Sequence, residues 1–485
     1  MTQAKIKFTQ SDLFHLIIQV IIMAIFWIVP PFFSDSLTPM GMKLLGVFIA
    51  SCYGWCTVGI MWPTILAFCM LPFTGACTQS QLLIDGLANV IFLFLIFLFI
   101  FNALVDESGL AEFLANFAMS RKFLHGRPWL LIFIFMFVTY LMGTVCNPFL
   151  VMFLMWSIVY GMADTLGYKK KDPLIALLVV LTTCSMLMGY STMPFQGIAV
   201  TLLAGFHNIT GLTISYPTYL AWSIPMGFGT LVLMWLFARF LVRPDVSLLK
   251  NYDPSTVNPE KLILSKKGKI VLVALLVFIV LLLSGSFLPA SNPIALFVNT
   301  AGNWGVIAFI LLILVFIRVD GKPVLDIGHC FKEGVRFEVL MCCAYLLPLG
   351  TYMALDEAGI SAFFVEILSP ILGGLNPLLL CLAIGLISLI LTQFMTNMVV
   401  AFMFFPVVFA FSQTTGLDAE VGALMAIYSC HIGILTPAAC TYAAITHANS
   451  EWVTSPQVTK YGAVTFILAA IIMMVLGYFW GNFVA

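Results

Sequence analysis

Charged residues are scarce in this chain of 485 residues, and neither sign predominates. Only 9% of the residues are charged and 62% are hydrophobic, whereas about 25% of the residues in a typical soluble domain are charged. The 21 basic and 21 acidic residues give no net charge, which removes the electrostatic basis for nucleic-acid binding. Most of the chain therefore cannot face water, and the composition predicts an integral membrane protein.

Signatures of enzymatic chemistry are also missing. No glycine-rich loop ends in Lys-Ser or Lys-Thr, so the chain lacks the phosphate-binding loop of an ATP-driven pump. The twelve cysteines show neither metal-ligand spacing nor a disulfide pattern, and the His, Asp and Glu residues of the apolar segments are isolated. We therefore expect no enzyme, no cofactor and no nucleic-acid partner. A channel is disfavoured because no ring of charges is present to line a pore.

Long apolar segments recur through the chain, each close to the roughly 20 residues that a helix needs to cross a bilayer. Strand alternation is missing, so helices must satisfy the backbone within lipid. We predict an all-α integral membrane protein with about eleven transmembrane helices and two re-entrant hairpins. The predicted spans are 13–33, 42–56, 58–72, 87–105, 174–205, 217–241, 270–288, 303–317, 337–355, 421–447 and 462–483, and the hairpins are 129–165 and 376–412.

The distribution of basic residues predicts the orientation. With a cytoplasmic amino terminus, nearly all Lys and Arg residues fall in cytoplasmic loops, as the positive-inside rule requires. We predict a multi-pass protein of the cell (inner) membrane whose carboxyl terminus lies outside. The predicted organisation is an amino-terminal segment with the first helix over 1–41, a first repeat over 42–241, a cytoplasmic linker over 242–269 and a second repeat over 270–485.

Two landmarks of the sequence recur 250 residues apart. The stretch "ALVDESGLAEFL", which begins at Ala103, returns as "MALDEAGISAFF" from Met353. Asn147, deep in an apolar segment, returns as Asn397. By the predicted orientation the two acidic landmarks face opposite sides of the membrane, so the repeats are inverted. Inverted repeats with interrupted hydrophobic segments are typical of secondary transporters.

Asn147 and Asn397 are predicted to lie at the tips of hairpins that turn back near the middle of the membrane. A reversal at that depth leaves helix-end groups unpaired, which is tolerated where they line a wet cavity. Amides at helix amino termini attract anions, while unwound carbonyls and an Asn oxygen can ligate sodium. The alternative is that each Asn only joins neighbouring helices, worth about 0.6 to 2 kcal/mol. Recurrence in both halves favours a binding site.

A helix interrupted by proline follows each hairpin. The predicted helix over 174–205 runs through "TTCSMLMGYSTMPFQG", and its counterpart over 421–447 runs through "YSCHIGILTPAACTY". A proline within a span removes a helix hydrogen bond, so Pro194 and Pro437 predict unwound loops that face the hairpin tips. A simple proline kink is the alternative interpretation.

With these features the chain resembles the divalent anion:sodium symporters, within the wider ion transporter superfamily. The resemblance covers nearly the full length, including both hairpins, the inverted repeats and both broken helices. It implies secondary active transport of small organic anions, foremost di- or tricarboxylates, by ion-coupled symport or exchange with alternating access. It also implies a homodimer. A sodium/proton antiporter or an inorganic oxyanion transporter of the same superfamily is the alternative.

The motifs of that family map onto this chain with departures. Each hairpin tip of the family carries Ser-Asn-Thr, and here both threonines and the first serine are replaced, by Pro148, Met398 and Cys146. These replacements predict a less polar or differently shaped substrate, or a member that uses exchange. The implied substrate-binding residues are Cys146, Asn147, Pro148, Thr192, Pro194, Thr396, Asn397, Met398, Thr436 and Pro437. The implied sodium ligands, if sodium is the coupling ion, are Met142, Cys146, Asn147, Ser191, Thr392, Met395, Asn397 and Leu435.

His431 is the one ionisable residue well inside the hairpin and broken-helix segments. An intramembrane His is a functional candidate, and its titration range suits proton coupling. The alternative is a neutral His that is hydrogen bonded to a helix carbonyl.

Overall fold

Helices make up nearly all of the computed structural model, which describes residues 10–31, 34, 36–256, 259–289, 291–372, 374–394 and 397–484. The helices of the first half are α1 (Gln10–Ile28), α2 (Pro39–Thr57), α3 (Met61–Met70), α4 (Gln79–Leu87), α5 (Val90–Glu107), α6 (Leu110–Met119), α7 (Pro128–Val145), α8 (Pro148–Leu166), α9 (Pro173–Thr192), α10 (Gly197–Thr210) and α11 (Tyr216–Phe237). Those of the second half are α12 (Lys266–Phe287), α13 (Pro293–Phe316), α14 (Ile327–Gly334), α15 (Phe337–Met353), α16 (Ile360–Leu372), α17 (Pro377–Leu391), α18 (Asn397–Thr415), α19 (Ala419–Cys430), α20 (Thr441–Ala448), α21 (Ser455–Ile472) and α22 (Tyr478–Val484). Two short strands, β1 (Arg318–Val319) and β2 (Lys322–Pro323), pair antiparallel between α13 and α14.

The helix lengths fit a multi-pass membrane protein. Within the described residues, nine helices are long and apolar enough to cross a bilayer, or ten if α14 and α15, which meet at 69°, form one span. The predicted fold class is confirmed. Eleven crossings, as predicted, would also require shorter helices to contribute to the spans, such as α3 with 10 residues and α10 with 14.

The same order of elements occurs in each half of the chain. A long helix, α5 or α15, is followed by a left-handed glycine, a shorter helix, two further helices, and a helix that is interrupted in its middle. Gly109 (φ 75°) and Gly359 (φ 67°) directly precede α6 and α16. Both occupy the backbone region that favours glycine.

The first hairpin reverses within two residues. Cys146 and Asn147 are extended between α7 and α8. Asn147 caps α8 because its Oδ1 accepts the N–H of Phe149 at 3.0 Å. Pro148 fits the first turn, where its missing N–H costs no helix bond. The two helices correspond to the hairpin predicted over 129–165.

The second hairpin has a longer tip. α17 ends at Leu391 and α18 begins at Asn397, and Met395 and Thr396 between them lie outside the described residues. The Oδ1 of Asn397 accepts the hydroxyl of Thr392 at 3.1 Å. Two side-chain oxygens are therefore adjacent at this tip.

Both broken helices are interrupted at the predicted prolines. α9 and α10 are separated by residues 193–196, which include Pro194. α19 and α20 are separated by residues 431–440, which include Pro437. The second interruption is longer because Pro437 and Ala438 lie in an exposed loop, whereas Pro194 is buried.

Helix α9 forms the centre of the protein, with every residue from Leu174 to Thr192 buried. Helix α7 approaches it closely at two glycines. A Cβ on Gly189 would lie 2.0 Å from the carbonyl oxygen of Tyr140, and a Cβ on Gly143 would lie 2.5 Å from that of Met186. The first hairpin is thus packed backbone to backbone against the first broken helix.

The two halves interlock through aromatic side chains. Phe149 at the start of α8 lies with its ring centroid 4.6 Å from that of Tyr442 on α20. Phe206 on α10 and Phe405 on α18 are 5.7 Å apart, edge to face. Each hairpin therefore contacts the second part of the broken helix that belongs to the other half.

The linker between the halves is docked on the first half. The hydroxyl of Tyr252 donates to the carbonyl of Met119 at 3.2 Å, and its own carbonyl contacts Nδ1 of His125 at 3.0 Å. Burial raises the pKa of the Tyr252 hydroxyl to about 12.

One predicted span is too short. The span predicted over 303–317 is the second part of α13, which begins at Pro293. Gly302 has a non-helical conformation (φ 66°, ψ 171°) in the middle of this element. The helix therefore continues across a kink where the sequence suggests a boundary.

Candidate functional site

A cavity of about 340 Å³ opens beside the tip of the first hairpin. This volume is within the range of small-molecule sites. It is bounded by the carboxyl end of α5, the tip, the break between α9 and α10, the bend between α14 and α15, and α20. The polar and aromatic residues that line it include Asn102, Asp106, Asn147, Tyr190, Gln196, Arg336 and Tyr442.

Asp106 binds the tip of the hairpin directly. The backbone N–H of Asn147 donates to Oδ1 of Asp106 at 3.2 Å. The tip therefore presents a backbone donor to a carboxylate, as an anion-binding site at a helix amino terminus does.

Arg336 supplies the positive charge of the cavity. It precedes α15 at the bend from α14, and its guanidinium lies 5.2 Å from the centre of the Phe149 ring. It lines the cavity together with Asp106 and Tyr442. A guanidinium held in this way can bind a carboxylate with two parallel hydrogen bonds.

The mouth of the cavity carries a separate cluster of charges. Glu107 accepts Nζ of Lys267 at 3.1 Å and contacts Nε2 of His329 at 2.9 Å. These contacts join α5 to α12 and α14. Glu107 is therefore paired with Lys267 and His329. Arg336 is the arginine of the cavity lining, and it lies over Phe149 beside the hairpin tip.

The first broken helix is attached to the hairpin by a glutamine. Nε2 of Gln196, within the break, donates to the carbonyl of Thr144 at 2.7 Å. The hydroxyls of Tyr140 and Thr192 are hydrogen bonded at 2.9 Å. The hydroxyl of Ser223 donates to the carbonyl of Thr192 at 2.8 Å. The end of α9 is therefore held on two sides.

A glutamine also connects the second hairpin to its broken helix, but this glutamine lies on the hairpin and contacts the break. Gln393 belongs to the hairpin, and its Oε1 accepts the N–H groups of Ile434 at 3.1 Å and Leu435 at 3.0 Å. Its Nε2 donates to the carbonyls of Leu389 at 2.9 Å and Ile432 at 2.6 Å. One buried side chain thus satisfies four backbone groups, three at the second break and one on α17.

Substitution of Gln393 by alanine is expected to destabilise this tip. It leaves two buried amides and two carbonyls without partners, and we expect a loss of about 2 kcal/mol in unfolding free energy. Thermal unfolding of the purified protein measures the loss. Gln413→Ala is the control, because Gln413 is exposed near the end of α18 and contacts only Ser412 at 3.4 Å. Equal melting temperatures for the two variants would contradict this account.

His431 begins the second break with an unsatisfied nitrogen. Its Nδ1 lies 2.8 Å from the carbonyl of Ile427. A carbonyl can only accept, so Nδ1 carries the proton and Nε2 of the neutral ring is an acceptor. Within the described residues Nε2 is buried without a hydrogen-bond partner. The ring stands edge-on to Tyr190, with the centroids 6.0 Å apart.

The predicted site residues fall into two groups. Around the first tip, Asn147 and Pro148 line the cavity, while Cys146 and the Thr192–Pro194 end of the break are buried behind it. The carbonyl of Met142 accepts the N–H of Cys146 at 2.8 Å, and the hydroxyl of Ser191 donates to Met188 at 2.9 Å. Both predicted sodium ligands therefore take part in helix contacts, and each oxygen keeps a lone pair.

The second group surrounds the second tip. The hydroxyl of Thr392 has two acceptors within reach, Oδ1 of Asn397 at 3.1 Å and the carbonyl of Cys430 at 2.9 Å, which share its single proton. The hydroxyl of Thr436 donates to the carbonyl of Gln393, and Leu435 is tied to the same glutamine. Met398 is half-buried and Pro437 is exposed. Met395 and Thr396 lie outside the described residues.

Three residues near the tips are not among the site residues that the sequence predicts. The sequence marks Asp106 only as part of the repeat, and it places Arg336 in a cytoplasmic loop. Gln393 is an amide within an apolar stretch, four residues before Asn397. That isolated polarity is the same signal that marked Asn397, so the sequence did carry a sign of its role.

Known proteins share the fold. The YdaH transporter of Alcanivorax borkumensis, known from a crystal structure with an unusual topology, matches with a TM-score of 0.60 over 98% of this chain and 99% of that chain, at 13% identity. An uncharacterized transporter of Synechocystis sp., sll0640, is 25% identical over 146 residues. That match covers 27% of this chain, and the chain spans about a quarter of the relative's length, 24%.

The model of the citrate transporter family, CitMHS, matches residues 44–431. This range includes both hairpins, the first broken helix and the beginning of the second break. Together with the helical fold, it indicates a non-enzymatic transport protein with several membrane helices. The chain belongs to the citrate transporter family.

Proposed function

We propose that this protein is a secondary active transporter of di- or tricarboxylates that works by alternating access. Family membership supports secondary transport of organic anions. The finer assignment, to carboxylates of the size of succinate or citrate and to carriers like the divalent anion:sodium symporters, rests on the cavity at the first tip.

The observation that carries the proposal is the meeting of Asn147 and Arg336 in one cavity of about 340 Å³. The tip offers amide donors and the guanidinium offers a planar fork, so two carboxylates of one molecule find different partners. Tyr190 and Tyr442 provide the remaining walls.

The coupling ion is proposed to bind at the break of the second half. Thr392 and Asn397 bring two side-chain oxygens together there, as a sodium site needs. His431 offers an alternative, because its free Nε2 can take a proton. Counter-substrate exchange is the third form of coupling. Sodium and proton gradients applied separately distinguish the three.

The repeats are proposed to be inverted in the membrane, with a cytoplasmic amino terminus, an outside carboxyl terminus and a homodimeric assembly. The recurring element order and the paired left-handed glycines support the repeat. In such a transporter one repeat-derived unit moves relative to the other, so that the site faces each side in turn.

Counterflow in proteoliposomes tests the function. Vesicles loaded with unlabelled citrate or succinate are expected to accumulate the labelled compound transiently, with a sodium gradient, a proton gradient or neither. Sulfate serves as the inorganic oxyanion and should not support counterflow. A protein that responds to sulfate but to no carboxylate would overturn the proposal in favour of an oxyanion transporter.

Asn147→Ala and Asn397→Ala are each expected to abolish ligand-induced stabilisation. Because a ligand that prefers the folded state raises apparent stability, citrate should raise the melting temperature of the wild type. Loss of the Asn147 amide removes a donor to the substrate, and loss of Asn397 removes an oxygen from the proposed ion site. Asn116→Ala is the control, since Asn116 is on α6 and bonds only to the carbonyl of Glu112 at 2.7 Å. Full citrate stabilisation of either tip variant would exclude that tip from the site.

A further inference from the structure

The main-chain donors of the first hairpin tip are already occupied by the protein itself. Cys146 donates its N–H to Met142 at 2.8 Å, and Pro148 has no N–H. The backbone N–H of Asn147 is therefore the main-chain donor that the tip can offer, and it donates to Asp106 at 3.2 Å. A substrate carboxylate cannot use this donor while Asp106 holds it.

This contact is not a general requirement of the fold. The equivalent residue of the second half, Asp356, lies in an exposed turn that precedes α16. The second tip is instead closed by Thr392, a neutral side chain. Only the first half therefore places a carboxylate on its hairpin tip, within the described residues.

Arg336 offers Asp106 a counter-charge within the same cavity. Both side chains line this cavity, and Asp106 is half-buried. If Asp106 leaves the tip, the guanidinium of the same cavity can offset its charge, so the movement does not isolate a buried anion.

We propose that the Asp106 carboxylate takes the place of a substrate carboxylate on the hairpin tip, and that substrate binds by displacing it toward Arg336. Asp106 is thereby an affinity-determining residue that competes with the substrate. This inference rests on the proposed function, because it assumes a carboxylate substrate. It explains why the tip stays capped while the cavity is open.

Calorimetric titration of the full-length protein with citrate tests the competition. Asp106→Asn keeps an acceptor for the Asn147 amide but removes the charge, which weakens the internal contact relative to a substrate carboxylate. We expect Kd for citrate to fall about tenfold, since hydrogen bonds to charged groups are roughly twice as strong as neutral ones. Asp356→Asn, at the equivalent position of the second half, should leave Kd unchanged.

The outcomes separate this inference from the proposed function. If neither the wild type nor Asp106→Asn binds citrate or succinate, the proposed function fails. If the wild type binds and Asp106→Asn binds equally or more weakly, only the competition fails.

A structure of the wild type with citrate decides the matter independently if the variant does not fold. We expect a citrate oxygen on the Asn147 amide and Asp106 beyond hydrogen-bonding distance. An intact bond from Asn147 to Asp106 in the citrate complex would overturn the inference.

Discussion

Arg336→Gln is expected to lower citrate uptake in proteoliposomes by roughly a hundredfold, because it removes two charge-assisted hydrogen bonds worth about 3 kcal/mol in total. Arg336 is the cation of the cavity lining that lies close to the first tip. Its loss also leaves Asp106 without a positive partner, which strengthens the hold of Asp106 on Asn147. Both effects lower citrate uptake.

Two comparisons make this result specific. Arg336→Lys retains the charge without the planar fork and should give intermediate uptake. Arg318→Gln removes an arginine of the same charge from strand β1, where its side chain donates to the carbonyl of Gly321 at 3.5 Å, and should transport normally. Wild-type uptake by Arg336→Gln, with normal expression, would remove this residue from the site.

Gly189→Ala is expected to cause the largest loss of stability, about 3 kcal/mol or more. The added Cβ would lie 2.0 Å from the carbonyl oxygen of Tyr140 and 2.9 Å from its carbonyl carbon. These are backbone atoms, so no side-chain rotation relieves the clash and α7 must separate from α9. The separation would also break the hydrogen bond between Tyr140 and Thr192. Size-exclusion profiles and thermal unfolding in detergent measure the effect.

Gly161→Ala is the matched control. Gly161 lies within α8, and nothing lies within 4 Å of the position of its Cβ. Alanine there should leave the melting temperature unchanged or raise it slightly, since glycine in a helix interior costs roughly 1 kcal/mol relative to alanine. A Gly189→Ala protein as stable as Gly161→Ala would show that the close approach of α7 and α9 does not support the fold.

The features that sequence predicts best are local ones. Pro148 after Asn147 marks the start of a helix, and Pro194 marks a break, because a missing N–H acts within one turn. The apolar runs likewise reveal the helices, because each run lies within a single helix. The predicted boundaries are wrong where a local signal is misleading, as at Gly302, which interrupts α13 without ending it.

Local signals do not predict which residues line the cavity. Asp106 reaches Asn147 across 41 residues of chain, and Arg336 arrives from the other half. Both lie near helix ends, where charged residues are commonplace in membrane proteins and usually face water. Only the packing of α14 and α15 beside α5 turns these two residues into parts of one site.

The interlocked aromatic contacts also set the order in which this protein can mature. While the ribosome is still synthesising the second half, Phe149 and Phe206 have no cover, because Tyr442 and Phe405 do not yet exist. The helices of the first half can enter the bilayer one after another, but Tyr442 can join the cavity beside the hairpin tip only after translation has passed α20. The cavity of a nascent chain therefore stays incomplete until most of the second half has been made.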